Sequence, residues 1–263
     1  MSIKELIQDN FIKKVSFFSE FCSDIKVKKT DKFIYVDCGL PSDTFNVGVI
    51  FSDYITQNEI DSEIIDCFSK KNYPMAVWCW DYFKNANKVL KSTCLKSVEV
   101  NIGMYAETNK FNLLNNKKEN FKIKAVSNKE ELKVFGQVLA EVFTDELEKK
   151  NIINYCNKLA LSSFDFYSSM KFYLGYLDGE AVATGSSFIT KDSAGIYDIV
   201  VLECKRKNGL GSQMFNFILQ DIKANFSGMC VLLASENGYN IYKKAGFEPA
   251  CDVYVYENRH LLK

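Results

Sequence analysis

Residues 201–215 read Val-Leu-Glu-Cys-Lys-Arg-Lys-Asn-Gly-Leu-Gly-Ser-Gln-Met-Phe, an apolar run that passes through a basic turn with two glycines into a helical pattern. The chemistry open to such a segment is the binding of a phosphorylated ligand. The first amides of a helix have no intrahelical acceptor and the dipole end there is positive, so a pyrophosphate can rest on them. Gly209 and Gly211 let the backbone come close, Ser212 adds a hydroxyl donor, and Lys205, Arg206 and Lys207 bring positive charge. Taken alone, a G-x-G pair also serves merely to ease a turn into a helix, and basic residues also serve as a solvated loop. Arg206 is the strongest of the three as a phosphate ligand.

Two further residue types bear on chemistry. Asp198 is the one carboxylate on the strand pattern before the turn, and alternation puts it on a face with Ile196 and Val200. Tyr242 lies in a short helical pattern after the strand Val231 to Ala234; a tyrosine there either fills a helix-to-sheet interface or offers a phenolic proton. Glu141, Asp145 and Glu146, near the junction of two earlier helices, are rival carboxylates whose plain reading is a solvated helix face.

The elements around these residues follow from periodicity and turn chemistry. Phe121 to Val126 alternates as a strand, and Ser127-Asn128-Lys129-Glu130 predicts a helix cap, with two helices running to about Lys158. Asp178-Gly179 predicts a two-residue hairpin turn between Phe172–Leu177 and Ala181–Thr190, and Gly195 to Leu202 adds a third strand. A helix from Gly209 to about Asn225, a strand Met229 to Ala234, a short helix Gly238 to Ala245 and a last strand Val253 to Glu257 complete this half. The predicted order is β, α, α, β, β, β, α, β, α, β.

Upstream, Ile3, Leu6, Ile7, Phe11, Val15, Phe18 and Cys22 fall at helical spacing. Strand-like runs follow at Phe33–Asp37, Phe45–Phe51, Met75–Trp80 and Val98–Ala106, with helical patterns near Glu59–Ser69 and Tyr82–Lys91. The Asn- and Lys-rich stretch Asn109 to Asn120 separates the two halves and sets an expected boundary near residue 116, dividing the chain into 1–116 and 117–263. The fold class is α+β.

The totals narrow the functions open to the chain. With 33 basic and 33 acidic side chains among 263 residues there is no net charge to draw a polyanion, so neither nucleic acid nor an anionic membrane is expected as a partner. Apolar runs fall far short of the roughly 20 residues that span a bilayer. The first ten residues are charged and lack a cleavage pattern, so a cytoplasmic location is expected. Nine scattered cysteines, none at C-x-x-C spacing, read as buried hydrophobes rather than disulfides or a metal site. The lone histidine, His260, lies three residues from the C-terminus, which argues against cysteine–histidine catalysis.

The R-x-x-G-x-G turn after a strand, preceded by the meander and followed by Leu232-Leu-Ala-Ser-Glu-Asn-Gly-Tyr-Asn-Ile-Tyr242-Lys-Lys-Ala-Gly246-Phe247, resembles the GNAT superfamily of N-acetyltransferases over about Phe121 to Tyr256. It is most similar to two-module bacterial members with an A-S-E-x-G-x-x-x-Y-x-x-x-G-F ending. The resemblance implies a mixed, mostly antiparallel sheet flanked by helices and splayed at a cofactor cleft. It implies acetyl-CoA as cosubstrate, with no metal. The pantetheine would pair with the main chain of Ile199, Val200 and Val201, and the pyrophosphate would lie on the amides of Arg206, Lys207, Asn208, Gly209, Leu210, Gly211 and Ser212. Ser235 stands where the family often has a cofactor-contacting asparagine. Tyr242 matches the tyrosine that protonates the departing thiolate. Asp198 stands on the strand where many members carry a glutamate base.

The implied activity is transfer of an acetyl group to a primary amine of a small molecule or protein. The alternative is an inactive acyl-CoA-binding sensor or interaction module. The first half is similar to the GNAT-like accessory module of the same subgroup and lacks an R-x-x-G-x-G turn. Its expected roles are completion of the acceptor pocket, homodimer contacts or partner binding.

Overall fold

The fold is built around one twisted sheet that both halves of the sequence share. The computed structural model describes residues 1–113, 118–165 and 169–262. Its eleven strands run in the order β1 (Lys26–Lys29), β2 (Phe33–Asp37), β3 (Val47–Ile50), β4 (Ala76–Trp80), β11 (Glu248–Glu257), β5 (Lys96–Glu107), β10 (Met229–Ala234), β9 (Ser193–Val201), β8 (Glu180–Ile189), β7 (Met170–Leu177) and β6 (Phe121–Ala125). Neighbours are antiparallel except β3 with β4 and β9 with β10. Each parallel pair is spanned by helical crossover: α2 (Gln57–Glu59), a π-helical stretch (Ile60–Ile65) and α3 (Asp66–Ser69) in the first half, α7 (Leu210–Asn225) in the second. A short helix then follows each second strand, α4 (Lys84–Ser92) and α8 (Glu236–Lys244). The mixed α+β architecture is the one the sequence predicts.

The halves exchange strands. β5, from the first half, lies between β10 and β11, and β11, from the second, lies between β4 and β5. The expected boundary at residue 116 falls in 114–117, outside the described residues.

Burial separates the two faces. α7 sets Met214, Phe215, Ile218, Leu219 and Ile222 against Ala183, Ala194, Ile196 and Leu232 on one face. On the other, α5 (Lys129–Ala140) and α6 (Glu146–Leu161) pack Phe135, Leu139, Tyr155 and Leu159 with Phe172 and Phe18. α1 (Ile3–Ser16) crosses this second face, burying Leu6, Ile7 and Phe11 against Val47, Val49 and Trp80 of the first half and Val231 and Val253 of the second. A helix with one apolar stripe thus clasps strands from both ends of the chain.

Turn and cap chemistry account for the connections. Asp178 (φ 51°) and Gly179 (φ 88°) take the two left-handed conformations that a tight β7–β8 hairpin requires. The α5 cap forms one residue later than expected. Asn128 accepts from the Glu131 amide, and the Glu131 carboxylate accepts from the Ser127 amide. The first helix also ends earlier than its apolar spacing suggests, passing at Phe17 into a 3-10 turn to Glu20. β1 has no counterpart among the expected strands, because its four residues are all exposed at a sheet edge and carry no apolar pattern.

Candidate functional site

β9 and β10 run side by side only from Ser193↔Met229 to Ile196↔Leu232. Beyond that point β10 stays with β5, pairing Leu233 with Gly103 and Ala234 with Ile102, while β9 stays with β8 as far as Val201↔Ala183. The sheet therefore opens between Tyr197–Val201 and Leu233–Ala234. Ile199, Val200 and Val201 lie along the edge that no longer pairs with β10, the Val201 carbonyl being taken by Arg206 Nε.

The opening coincides with a bulge. The β8–β9 register shifts between Thr184 and Ser186, and Asp198 adopts φ 56°. Before the bulge Ala194 and Ile196 face α7; after it Ile199 and Val201 do. Tyr197 and Val200 face α5 and α6, and Asp198 joins them beside Phe135 and Tyr155. The expected alternation is therefore corrected: Asp198 shares a face with Val200 but not with Ile196, because the inserted left-handed residue changes the phase of the strand.

At the mouth of the opening, a 3-10 turn (Glu203–Lys205) leads into α7. Lys207 (φ 61°) and Gly209 (φ 76°) are left-handed, so the chain doubles back before entering the helix. Gly209 is the cap residue and supplies no side-chain bond; its carbonyl receives the Gln213 amide at 3.1 Å. Leu210, Gly211 and Ser212 donate to no group among the described residues. A Cβ on Gly211 would meet only Val201 and Ile241, at 3.6 and 3.9 Å, so the residue leaves open backbone rather than filling a tight contact. Three unpaired amides at the positive end of a sixteen-residue helix, beside a parted strand edge, fit a diphosphate joined to an extended pantetheine-like arm. Arg206 and Asn208 are exposed; the Arg206 Nε donates to the Val201 carbonyl at 3.0 Å, holding the turn against the end of β9. Lys205 reaches Glu180 instead, at 3.5 Å.

The corresponding place in the first half is closed. There α2 begins with a capping box in which Thr56 accepts from the Glu59 amide, and Asp53 in the preceding loop accepts from the Ala86 amide. An acidic loop and a capped helix end are poor receptors for phosphate.

Across the opening, Ser235 is the exposed cap residue of α8, and its side chain makes no cap bond. Tyr242 lies one helical face further on, its ring 4.7 Å from that of Phe215. A Cβ on Gly238 would come within 2.6 Å of the Tyr242 ring, so the glycine four residues earlier is what lets the phenol fold back along its own helix. Burial pushes the Tyr242 phenol up to about 12, which keeps it protonated at neutral pH.

Asp198 looks into a pocket on the opposite face. Its Oδ2 accepts from Ser186 Oγ at 2.6 Å, its Oδ1 lies 3.7 Å from Lys14 Nζ, and its carbonyl accepts from Thr184 Oγ1 at 2.9 Å. The pocket walls include Val15 of α1, Phe18 of the 3-10 turn after it, Phe45 of the β2–β3 loop, and Phe135, Leu139 and Tyr155 of α5 and α6. The rival carboxylates are engaged elsewhere. Asp145 caps α6 through the Leu147 and Glu148 amides and pairs with Arg259 at 2.7 Å, while Glu141 and Glu146 pair with Lys149 on the surface.

Two participants were not legible in the sequence. Lys14 carries no motif, and its place beside Asp198 depends on α1 crossing into the second half. Glu148, with a side chain 1% exposed, accepts from Ser42, Thr44 and Arg259; only its helical position, not its role, could be read. Among the described residues no group of three or more His, Cys, Asp or Glu side chains could hold a metal ion, and no helix is long and apolar enough to cross a membrane.

The family model described as "Acetyltransferase (GNAT) family" matches residues 138–247. No curated protein matches the sequence. Among solved structures, a GCN5-related N-acetyltransferase from Kribbella flavida aligns at TM-score 0.67 and 12% identity over 95% of both chains. A functionally unknown conserved protein from Staphylococcus epidermidis aligns at TM-score 0.64 and 14% identity, over 92% of this chain and 97% of its own. A tandem GNAT protein from the clavulanic acid biosynthesis pathway aligns at TM-score 0.54 and 9% identity, over 88% of this chain and 80% of its own. Identities this low establish likeness of fold, and the fold they share extends through both halves. Residues 138–247 thus match the GNAT acetyltransferase family, within a chain whose architecture is that of GNAT proteins.

Proposed function

We propose that the protein is an acetyl-CoA-dependent N-acetyltransferase with two modules meeting near residue 116, the second holding the cosubstrate and the first completing the acceptor side. The observation that carries this reading is the coincidence of the unpaired amides of Leu210, Gly211 and Ser212 with the parting of β9 from β10. The diphosphate would rest on those amides, with Arg206, Lys207 and Asn208 around it. The pantetheine would follow the free edge of Ile199 to Val201, with Ser235 on the facing side.

The reaction is attack of an amine nitrogen on the thioester carbonyl, which forms the C–N bond and breaks the C–S bond. An ammonium acceptor sheds two protons overall. Asp198 takes one and passes it to solvent; Tyr242, protonated at neutral pH, gives its phenolic proton to the departing thiolate and is replenished by the second. Proximity of the two reactants in one cleft supplies much of the acceleration.

Calorimetry with acetyl-CoA, followed by thiol release across an amine library, tests the proposal. Micromolar binding that Gly211→Glu weakens at least tenfold is expected, because the new carboxylate would face the phosphates. Unaltered affinity in that variant places the cosubstrate elsewhere. Binding without turnover of any amine would favour an acyl-CoA sensor.

A further inference from the structure

The pocket beside Asp198 carries a chemical signature more specific than an amine site, and reading it rests on the acetyl-transfer function proposed above. Asn10, fully buried on α1, donates through Nδ2 to Ser193 Oγ at 2.8 Å and accepts the Tyr197 hydroxyl at 2.7 Å. These bonds set the rotation of α1 on β9. Lys14 follows one turn later on the same helical face and is therefore brought over the bulge.

There its ammonium forms an ion pair with Asp198 that is longer than a hydrogen bond. Lys14 Nζ makes no hydrogen bond among the described residues; it stands 3.7 Å from Asp198 Oδ1 and 5.0 Å from the centre of the Tyr197 ring, with its side chain 18% exposed. Asp198 Oδ1 likewise accepts no hydrogen bond, whereas Oδ2 is held by Ser186. An ion pair with hydrogen-bonding capacity left on both Lys14 Nζ and Asp198 Oδ1 thus lies at a pocket whose walls include Phe18, Phe45, Leu139, Tyr155 and Phe172, with Thr44 beside them.

We infer that the acceptor is a free α-amino acid with an uncharged, apolar side chain. A zwitterion offers a hydrogen-bonding counter-charge to each member of that ion pair. Its ammonium faces Asp198 Oδ1, its carboxylate faces Lys14 Nζ, and its side chain enters the apolar pocket. The cavity is about 40 Å³ and its walls are mostly apolar, which favours an apolar over a charged side chain. Asp198 accepts one ammonium proton, the freed nitrogen attacks the thioester, and the products are the N-acetylamino acid and coenzyme A. Lys14 is a binding residue that reads the carboxylate.

The full-length chain is offered leucine, leucinamide, 3-methylbutylamine, lysine and spermidine with acetyl-CoA, and both thiol release and product mass are read. Leucine is expected to exceed leucinamide and 3-methylbutylamine at least tenfold in kcat/KM. In Lys14→Met the leucine-to-leucinamide ratio should fall at least tenfold, and Lys14→Arg should restore part of it, which a merely structural lysine would not do. Calorimetry in the presence of coenzyme A should show leucine binding more tightly than leucinamide to the parent chain. Equal rates for leucine and leucinamide, a ratio unmoved by Lys14→Met, or preference for spermidine or lysine each overturn the amino-acid assignment while leaving acetyl transfer standing. Absence of acetyl-CoA binding to the parent chain removes the acetyl-transfer reading, and this inference with it.

Discussion

Tyr242 and Glu257 show how burial alone assigns different work to two titrating side chains. Desolvation disfavours the charged form of either group. For Tyr242 it raises the phenol to about 12 and so keeps it protonated, as the proposed donor role requires. Tyr242→Phe should lower turnover about a hundredfold, with acetyl-CoA affinity by calorimetry unaltered and no Tyr242 limb in the rate profile below pH 10. A variant as fast as the parent across pH removes the donor role. For Glu257, burial first and Asp43 second raise the carboxyl from 4.5 to about 7, against the pull of Arg259. A raised folded-state value means that the protonated form contributes stability below about pH 4.5, and that this contribution disappears as pH climbs through 7. Glu257→Gln should therefore match the parent near pH 4.5 and exceed it at pH 8. The difference is on the order of 1 kcal/mol, allowing for solvent screening of a side chain that is only partly buried. Urea midpoints at the two pH values check it.

Among the elements, α1 has consequences beyond its length. Its apolar stripe holds strands of both halves, and Asn10 gives it a fixed rotation. Replacing Asn10 by Ala removes two partners of Ser193 and Tyr197 at once in a fully buried position. A loss of about 1–3 kcal/mol is expected, since buried groups left without partners bear the full desolvation cost. Denaturant unfolding measures this directly, and unchanged stability would mean that the bonds are dispensable to the clasp. The bulge in β9 is the second decisive element. One left-handed aspartate swings its own carboxylate toward the α5–α6 side and frees the strand edge that follows. Strain of this kind persists only where neighbours hold it, here the Ser186 hydroxyl on the carboxylate and the Thr184 hydroxyl on the carbonyl.

For the molecule as a whole, the C-terminal end is tied to distant parts of the chain through one guanidinium. Arg259 pairs with Asp43 in the β2–β3 loop at 2.5 Å, with Asp145 at the α6 cap at 2.7 Å, and with the buried Glu148 at 3.3 Å. Removing the cation strands two nearly buried carboxylates, Asp43 and Glu148, whose side chains are 9% and 1% exposed. Arg259→Met should therefore cost about 3 kcal/mol. The urea midpoint is the readout; parental stability would show that Ser42 and Thr44 suffice to hold Glu148. Because Thr44 and Phe45 also line the pocket, this network bears on the pocket wall as well as on stability.

Local signals sufficed for local features. Asp178-Gly179 predicted its hairpin because few residue pairs tolerate two left-handed positions in succession. Arg206-x-x-Gly209-x-Gly211 marked an open helix start, since the absence of side chains there is itself the geometry. β2 and β10 could be bounded to the residue, Phe33–Asp37 and Met229–Ala234, from their apolar runs alone. Other features arise from contacts between residues far apart in the chain, which no periodicity encodes. The exchange of β5 and β11 depends on which strand edges are free once the rest has folded. The face taken by Asp198 depends on a bulge opposite Gly185 in another strand, and the meeting of Lys14 with Asp198 brings together residues 184 positions apart in the sequence. The sequence by itself determined the glycine-bearing helix start with open amides and the tyrosine near it. Only the tertiary structure decided which charges and which apolar walls surround Asp198, because those are set by packing between halves rather than by neighbours in the chain.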